Sequence, residues 1–201
     1  MIEIYNNVLP TALSDKLEKI VTSNDFGWFL IRDVHKHNLS KNVLINNNTV
    51  NTIQLNHDVY DINSGINSNV FNLCDLSVNI ICQNLNFDTI ITRLKFNMLF
   101  NNKDIIKNKH NTPHVDDVNN TINQDVYTLI YYVSDSDGDT VIFNEQLNSK
   151  PIKKLSIYKK ITPKKNKAII FKGSYFHAST NPLKFENRIV MNVNLIKKES
   201  R

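Results

Sequence analysis

Residues 112–120 read TPHVDDVNN and set His114 and Asp116 one residue apart. On an extended strand, positions i and i+2 share a face, so this imidazole and this carboxylate can approach one metal ion from the same side. With six histidines and fourteen aspartates in 201 residues, roughly 0.4 such pairs arise by chance, so the pair means little without a third ligand. His177, in GSYFHAST, is the candidate. Alone, a histidine between Phe176 and Ala178 on an apolar strand is most often a core residue satisfied by a backbone carbonyl. Arg188 changes that balance: it follows eleven residues later, opens RIVMNVNL, and is one of only four arginines.

Two imidazoles and one carboxylate on a single face leave three coordination positions open, an arrangement suited to non-haem Fe(II) and dioxygen chemistry. The open positions can take a bidentate 2-oxo acid and then dioxygen. A guanidinium one strand away can hold the far carboxylate of 2-oxoglutarate through a paired, charge-assisted contact.

Such distant ligands converge only if strands close on one another. TIITRLKFNMLF (89–100) alternates Leu94, Phe96, Met98 and Phe100 with Arg93, Lys95 and Asn97, the period of a half-buried strand. PHVD, YTLIYYV, DTVIF, KLSIYKK, KAIIF, SYFHAS and RIVMNVNLI then read as short strands, separated by turn-rich segments such as SDSDGD and TPKKN. No helix-period segment interrupts them. Upstream, Ile2 and Ile4 suggest a short strand, and Leu13, Leu17, Ile20 and Val21 mark an amphipathic helix entered after Pro10. Phe71, Cys74, Val78, Ile81 and Leu85 mark a second helix over 68–86, whereas 24–66 reads as polar and irregular apart from FGWFLI. About eight strands after two helices predict a mainly β fold with supporting α, an antiparallel sandwich or barrel braced by helices on one face.

HVD followed by YTLIYYVSDSDGDTVIFNE, and later TPKKNKAIIFKGSYFHASTNPLKFENRIVMNVNL, resembles the Fe(II)/2-oxoglutarate-dependent oxygenases over roughly residues 90–197, and within them the prolyl-4-hydroxylase-like branch with its phage and viral members. The resemblance implies a double-stranded β-helix, or jelly roll, braced by N-terminal helices in one domain spanning 1–201. Residues 1–88 would supply helical support and substrate loops, and 89–197 the jelly-roll core. It implies that His114, Asp116 and His177 bind Fe(II), that Arg188 pairs with the C5 carboxylate of 2-oxoglutarate, and that the Tyr132 hydroxyl reaches the same carboxylate. Asn192, four residues after Arg188, would add a polar contact. The implied reaction consumes dioxygen, with ascorbate supportive, releases succinate and carbon dioxide, and hydroxylates a peptidyl proline or another protein side chain. The alternatives are the same chemistry on a small molecule or nucleobase, or a non-catalytic jelly-roll binding or virion module. The chain departs from the pattern in two places. Gly138 and Asp139 stand where paired glycines are common, a change expected to touch no metal ligand, and Phe100 stands where many relatives carry a tyrosine near the metal.

Composition sets outer bounds. Charged residues at 21% and hydrophobic residues at 41% exclude a disordered or collagen-like chain. Asn, Lys and Ile excess reads as AT-rich coding, which points to a phage, a virus or an AT-rich bacterium. The lysines of 149–168 read as a solvated edge strand. Nucleic acid is not the expected partner, because repair demethylases carry a second arginine six residues after the first and Asn194 stands there. Cys74 and Cys82 read as buried thiols. With no basic leader followed by an apolar run, and no apolar window long enough to span a bilayer, a cytoplasmic location in a bacterium or phage-infected cell is expected, with no membrane partner. His35 and His37 lack a supporting carboxylate, His57 and His110 are expected to be solvated in loops, and Asp117 is expected to point away from the metal.

Overall fold

Pro10 cannot donate a hydrogen bond, but its carbonyl accepts those of Leu13 and Ser14 at 2.9 and 3.1 Å, starting the helix α1, Thr11–Val21. Before it lies the strand β1, Ile2–Asn6. The computed structural model describes residues 2–31, 49–50, 52–101, 109–116, 125–147 and 154–198. Strands β2 (Phe29–Ile31), β3 (Thr49–Val50), β4 (Gln54–Asp61) and β5 (Gly65–Ile66) precede the second helix, α2 (Phe71–Asn84). After it come β6 (Thr89–Phe100), β7 (His110–Asn111), β8 (Val126–Tyr132), β9 (Thr140–Gln146), β10 (Ile157–Ile161), β11 (Lys167–Lys172), β12 (Tyr175–Ser179) and β13 (Asn187–Lys197).

The larger sheet has eight strands in the order β1-β11-β8-β13-β6-β4-β2, with β5 beside β4. A three-stranded sheet, β10-β9-β12, lies across it, and the two together form the expected jelly roll. Alternate residues of the large sheet serve two layers. Leu94, Phe96, Leu129, Tyr131, Met191, Val193 and Leu195 share one buried cluster with Leu17 and Val21 of α1 and Cys74, Val78 and Ile81 of α2. The Tyr131 hydroxyl donates to Ser14 Oγ at 2.9 Å and ties α1 to β8. Facing the other way, Ile130, Tyr132, Ile169, Phe171 and Val190 meet Ile142 and Ile161. Each such fully buried apolar side chain stabilises the fold by about 1.5–3 kcal/mol. Asn166, at φ 62 in the β10–β11 turn, is buried and grips Leu9 with both ends of its amide, at 2.9 and 2.8 Å, fixing the β1–α1 junction.

Several expectations are corrected. Residues 24–66 are not uniformly irregular: β4 is an eight-residue strand paired along β6, and β2 extends the same sheet. Polar residues dominate β4 and only Val59 is fully buried there, so no apolar alternation announces it. Residues 1–88 therefore supply strands of the main sheet as well as helices. PHVD is not a strand but a single bridge, His114 opposite His177, and the short pairing upstream of it is β7. Phe100 is 43% exposed at the end of β6, while Leu99 is the buried residue. His57 lies in β4, bonded to Gly27 O at 2.6 Å and Ser68 Oγ at 2.7 Å. His110 lies in β7, buried, with burial pushing its pKa down. Both pair with neighbours where loops open to water were expected. Cys74 and Cys82 are free and buried, and burial raises the Cys74 thiol to about 12. Strand β10 carries exposed Lys159 and Lys160 at the edge of its sheet, the reading given to the lysine-rich segment. His35, His37 and Asp117 lie outside the described residues. Among the described residues no helix is long and apolar enough to cross a membrane.

Candidate active site

The backbones of His114 and His177 exchange two hydrogen bonds, each 2.9 Å, which places these residues directly opposite one another on antiparallel chains. A register shift in the β12–β9 pairing falls between Tyr175 and His177; such irregularities re-aim side chains at sheet edges. His114 Nδ1 lies 3.1 Å from Thr112 O and His177 Nδ1 lies 3.3 Å from Tyr175 O. Carbonyls accept only, so each Nδ1 carries a proton, which leaves Nε2 as the nitrogen able to ligate a metal when the ring is neutral. Both Nε2 atoms face Asp116, at 3.8 Å from His114 to Oδ1 and 3.4 Å from His177 to Oδ2. One ligand atom from each of the three lies within 4.8 Å of the others.

The carboxylate is held from behind as well. Arg93 reaches Oδ1 at 3.2 Å, Asn192 Nδ2 donates to Oδ2 at 3.2 Å, and Thr128 Oγ1 approaches Oδ2 at 3.4 Å. Burial alone would push the Asp116 carboxyl up, but facing His177, with Arg93 and His114, holds it well below the usual carboxylate range. A buried, ionised carboxylate flanked by two imidazole Nε2 atoms is a donor set that fits a divalent transition metal with open positions.

A cavity of about 50 Å³ opens from the two histidines and is lined by Lys95, Thr140, Arg188 and Asn192 among others. Arg188 is 4% exposed. Its Nε donates to Gly138 O at 2.7 Å and one terminal nitrogen donates to Thr140 Oγ1 at 2.7 Å, but it makes no ion pair among the described residues. Burial pushes its pKa down, with Tyr132 and Asp139 pulling the other way. A buried guanidinium with hydrogen bonds only to neutral groups is costly without an anion. Gly138 permits this placement: a Cβ there would stand 2.7 Å from Thr180 O and 2.9 Å from Arg188 Cδ. The Gly138–Asp139 turn thus seats the arginine.

Tyr132 and Asn192 sit differently from their expected contacts. The Tyr132 hydroxyl donates to Thr140 Oγ1 at 2.8 Å, under the Arg188 guanidinium, and Thr140 rather than Tyr132 lines the cavity. Asn192 is beside Asp116. Sequence reading passed over Arg93, Lys95, Thr128 and Thr140; the alternation of β6 had singled out the first two only as a polar face. A larger cavity of about 590 Å³ at the end of α2, lined by Gln83, Asn86 and Lys198 among others, contains none of these residues.

Residues 100–196, just under half the chain and the part holding the triad, match the profile of the 2OG-Fe(II) oxygenase superfamily. The chain is a 2-oxoglutarate-dependent dioxygenase. Its cofactors are Fe(II) and 2-oxoglutarate. No curated protein matches the dioxygenase in sequence. Its fold is similar to that of a Trichoplax adhaerens prolyl hydroxylase solved with a hypoxia-inducible-factor peptide fragment, at 15% identity and a TM-score of 0.56, over 98% of this chain and 82% of that one. It is likewise similar to the viral collagen prolyl hydroxylase of Paramecium bursaria Chlorella virus 1, at 14% identity and 0.52, over 98% and 96%. The epimerase SnoN of nogalamycin biosynthesis gives 8% identity and 0.60, over 97% and 78%.

Proposed function

We propose that His114, Asp116 and His177 hold the Fe(II) of this dioxygenase, that Arg188 and Thr140 hold the C5 carboxylate of 2-oxoglutarate, and that the enzyme hydroxylates a peptidyl proline or another protein side chain. One observation carries the site assignment: three ligand atoms lie within 4.8 Å of each other, and the two histidines among them line the same cavity as an arginine that has no ion pair among the described residues.

Bound iron supplies the dioxygen chemistry that couples decarboxylation of 2-oxoglutarate, to succinate and carbon dioxide, with insertion of oxygen into a substrate C–H bond. The chain's own residues prepare for this. Arg93, Asn192 and Thr128 keep the Asp116 carboxylate ionised and aimed at the histidines. Arg188 fixes the cosubstrate's distal end. Thr140 Oγ1 accepts from both Tyr132 and Arg188, so its single O–H is left to donate into the cavity, and Tyr132 acts through it. The apolar wall of Ile130 and Val190 limits water around the reacting groups.

A protein substrate is supported by the family resemblance and by the prolyl hydroxylases among the similar folds, one of them bound to a peptide fragment. We also read residues 1–201 as one domain, since β1 pairs with β11 and β4 with β6.

Purified protein supplied with Fe(II), ascorbate and 2-oxoglutarate should release succinate. His114→Ala should reduce release more than a hundredfold, beyond the 10–100-fold typical of removing a group that merely supports a ligand. Arg188→Ala should raise the KM for 2-oxoglutarate roughly 30- to 1,000-fold, from about 2–4 kcal/mol of lost charge-assisted contact. Succinate release unchanged by both substitutions overturns the assignment.

A further inference from the structure

Strand β6 turns Lys95 and Asn97 toward the cavity and Arg93 toward Asp116. These three cavity-side groups are not equally provided for. Arg93 is balanced by Asp116. Lys95 makes no hydrogen bond or ion pair among the described residues, although it faces Asn192 on one neighbouring strand and Asp58 on the other. Burial and the adjacent Arg93 push its pKa down to about 8, against the pull of Asp116 and Asp58. Beside it, the Asn97 side-chain oxygen is buried without a partner.

Register places this cation at the metal end of the cavity. Lys95 is opposite Asn192, which touches Asp116, whereas Arg188 is opposite Leu99. The two cations are therefore four residue steps apart, roughly 13 Å along the strands. A 2-oxoglutarate held by Arg188 at one end and by iron at the other would be neutralised by them, which leaves Lys95 with only the exposed Asp58 across on β4 and the Asp116 carboxylate, neither in contact with it, as counter-charge. An ammonium desolvated in this way is stabilised by a second anion.

We propose that Lys95 is an anion-recognition residue for the substrate to be hydroxylated, selecting one that carries a carboxylate close to the reacting C–H bond, as a proline at the C-terminus of a peptide does and an internal proline does not. This rests on the site reading above and adds the chemical class of the substrate. The same ammonium could instead meet the carboxylate of 2-oxoglutarate nearest iron, and the experiment separates these two sources.

The probes are N-acetyl-L-proline and its neutral counterpart N-acetyl-L-prolinamide, titrated calorimetrically into protein loaded with Fe(II) and 2-oxoglutarate under nitrogen, so that binding is read without turnover. The acid should bind at least tenfold more tightly than the amide. Lys95→Met should erase that difference and Lys95→Arg should restore much of it, with the affinity for 2-oxoglutarate changed less than threefold in both. The proposal is overturned if wild type binds neither probe or both equally, if Lys95→Met keeps the preference, or if it weakens 2-oxoglutarate as much as the acid. Succinate release in the absence of either probe reports separately on the metal and cosubstrate assignment, so the two readings can fail independently.

Discussion

The two faces of the eight-stranded sheet are made from alternate residues of the same strands, yet they obey opposite rules. On the helix side, β6, β8 and β13 present Leu94, Phe96, Leu129, Tyr131, Met191 and Val193, all essentially fully buried. On the other side the same strands present Arg93, Lys95, Asn97, Thr128, Arg188, Asn192 and Asn194. Among the described residues, Arg93 Nε, Asn97 Oδ1, Asn192 Oδ1 and both amide atoms of Asn194 are buried there with no hydrogen-bond partner. Each such atom costs about 1–3 kcal/mol. One face is optimised for the fold, and the other keeps polar groups in readiness for ligands, at the expense of stability.

Substitutions can break that contrast. The largest effect is expected from Phe96→Ala on the helix side, which should lower unfolding free energy by about 3–5 kcal/mol while leaving succinate release per folded molecule within twofold; denaturant melts paired with active-site titration check both. A fall in turnover as steep as the fall in stability would mean the faces are not independent. A smaller change of opposite sign is expected from Asn194→Leu, which replaces two orphaned polar atoms by hydrocarbon and should raise stability by about 1–2 kcal/mol. A loss of stability would show that Asn194 has a partner in solution. A third effect is pH-dependent. Lys95 has a folded pKa of about 8 against an ordinary 10.5, so the unfolded chain holds that proton more tightly and the residue opposes folding most below pH 8, less as pH rises to about 10.5. Lys95→Met should thus be more stable than wild type at pH 7, with the gap closing by about pH 10.5, as urea midpoints across that range would record.

The same alternation explains what was legible in the sequence. Period-2 patterning in 89–100 announced β6, and the order of His114, Asp116, His177 and Arg188 announced residues that the structure brings to one cavity. Patterning says which residues are polar, not whether their face meets bulk water or a pocket, so Arg93 and Lys95 read as a solvated side. Strand β4 was illegible because its register against β6 puts Gln54, Asn56 and Asp58 on that same polar side. Tyr132 was picked out by position, but its hydroxyl is spent on Thr140, a partner eight residues away across a turn, which no spacing rule specifies. Asn192 lines the same cavity as Arg188 but sits four residues further along β13, where it donates to the carboxylate of Asp116.

The His114–His177 bridge has a consequence for assembly. Two reciprocal backbone amide contacts join these residues, sixty-three positions apart in the chain, with Asn111 donating to Ser179 beside them, and an ion caught between their rings would act as a rivet where the backbone offers only a stitch. Closing so long a loop is entropically unfavourable, and an ion that binds only the closed form shifts the equilibrium toward it. The mouth of the barrel should therefore be the region whose amide hydrogens exchange fastest when a chelator is present and slow most when Fe(II) is restored.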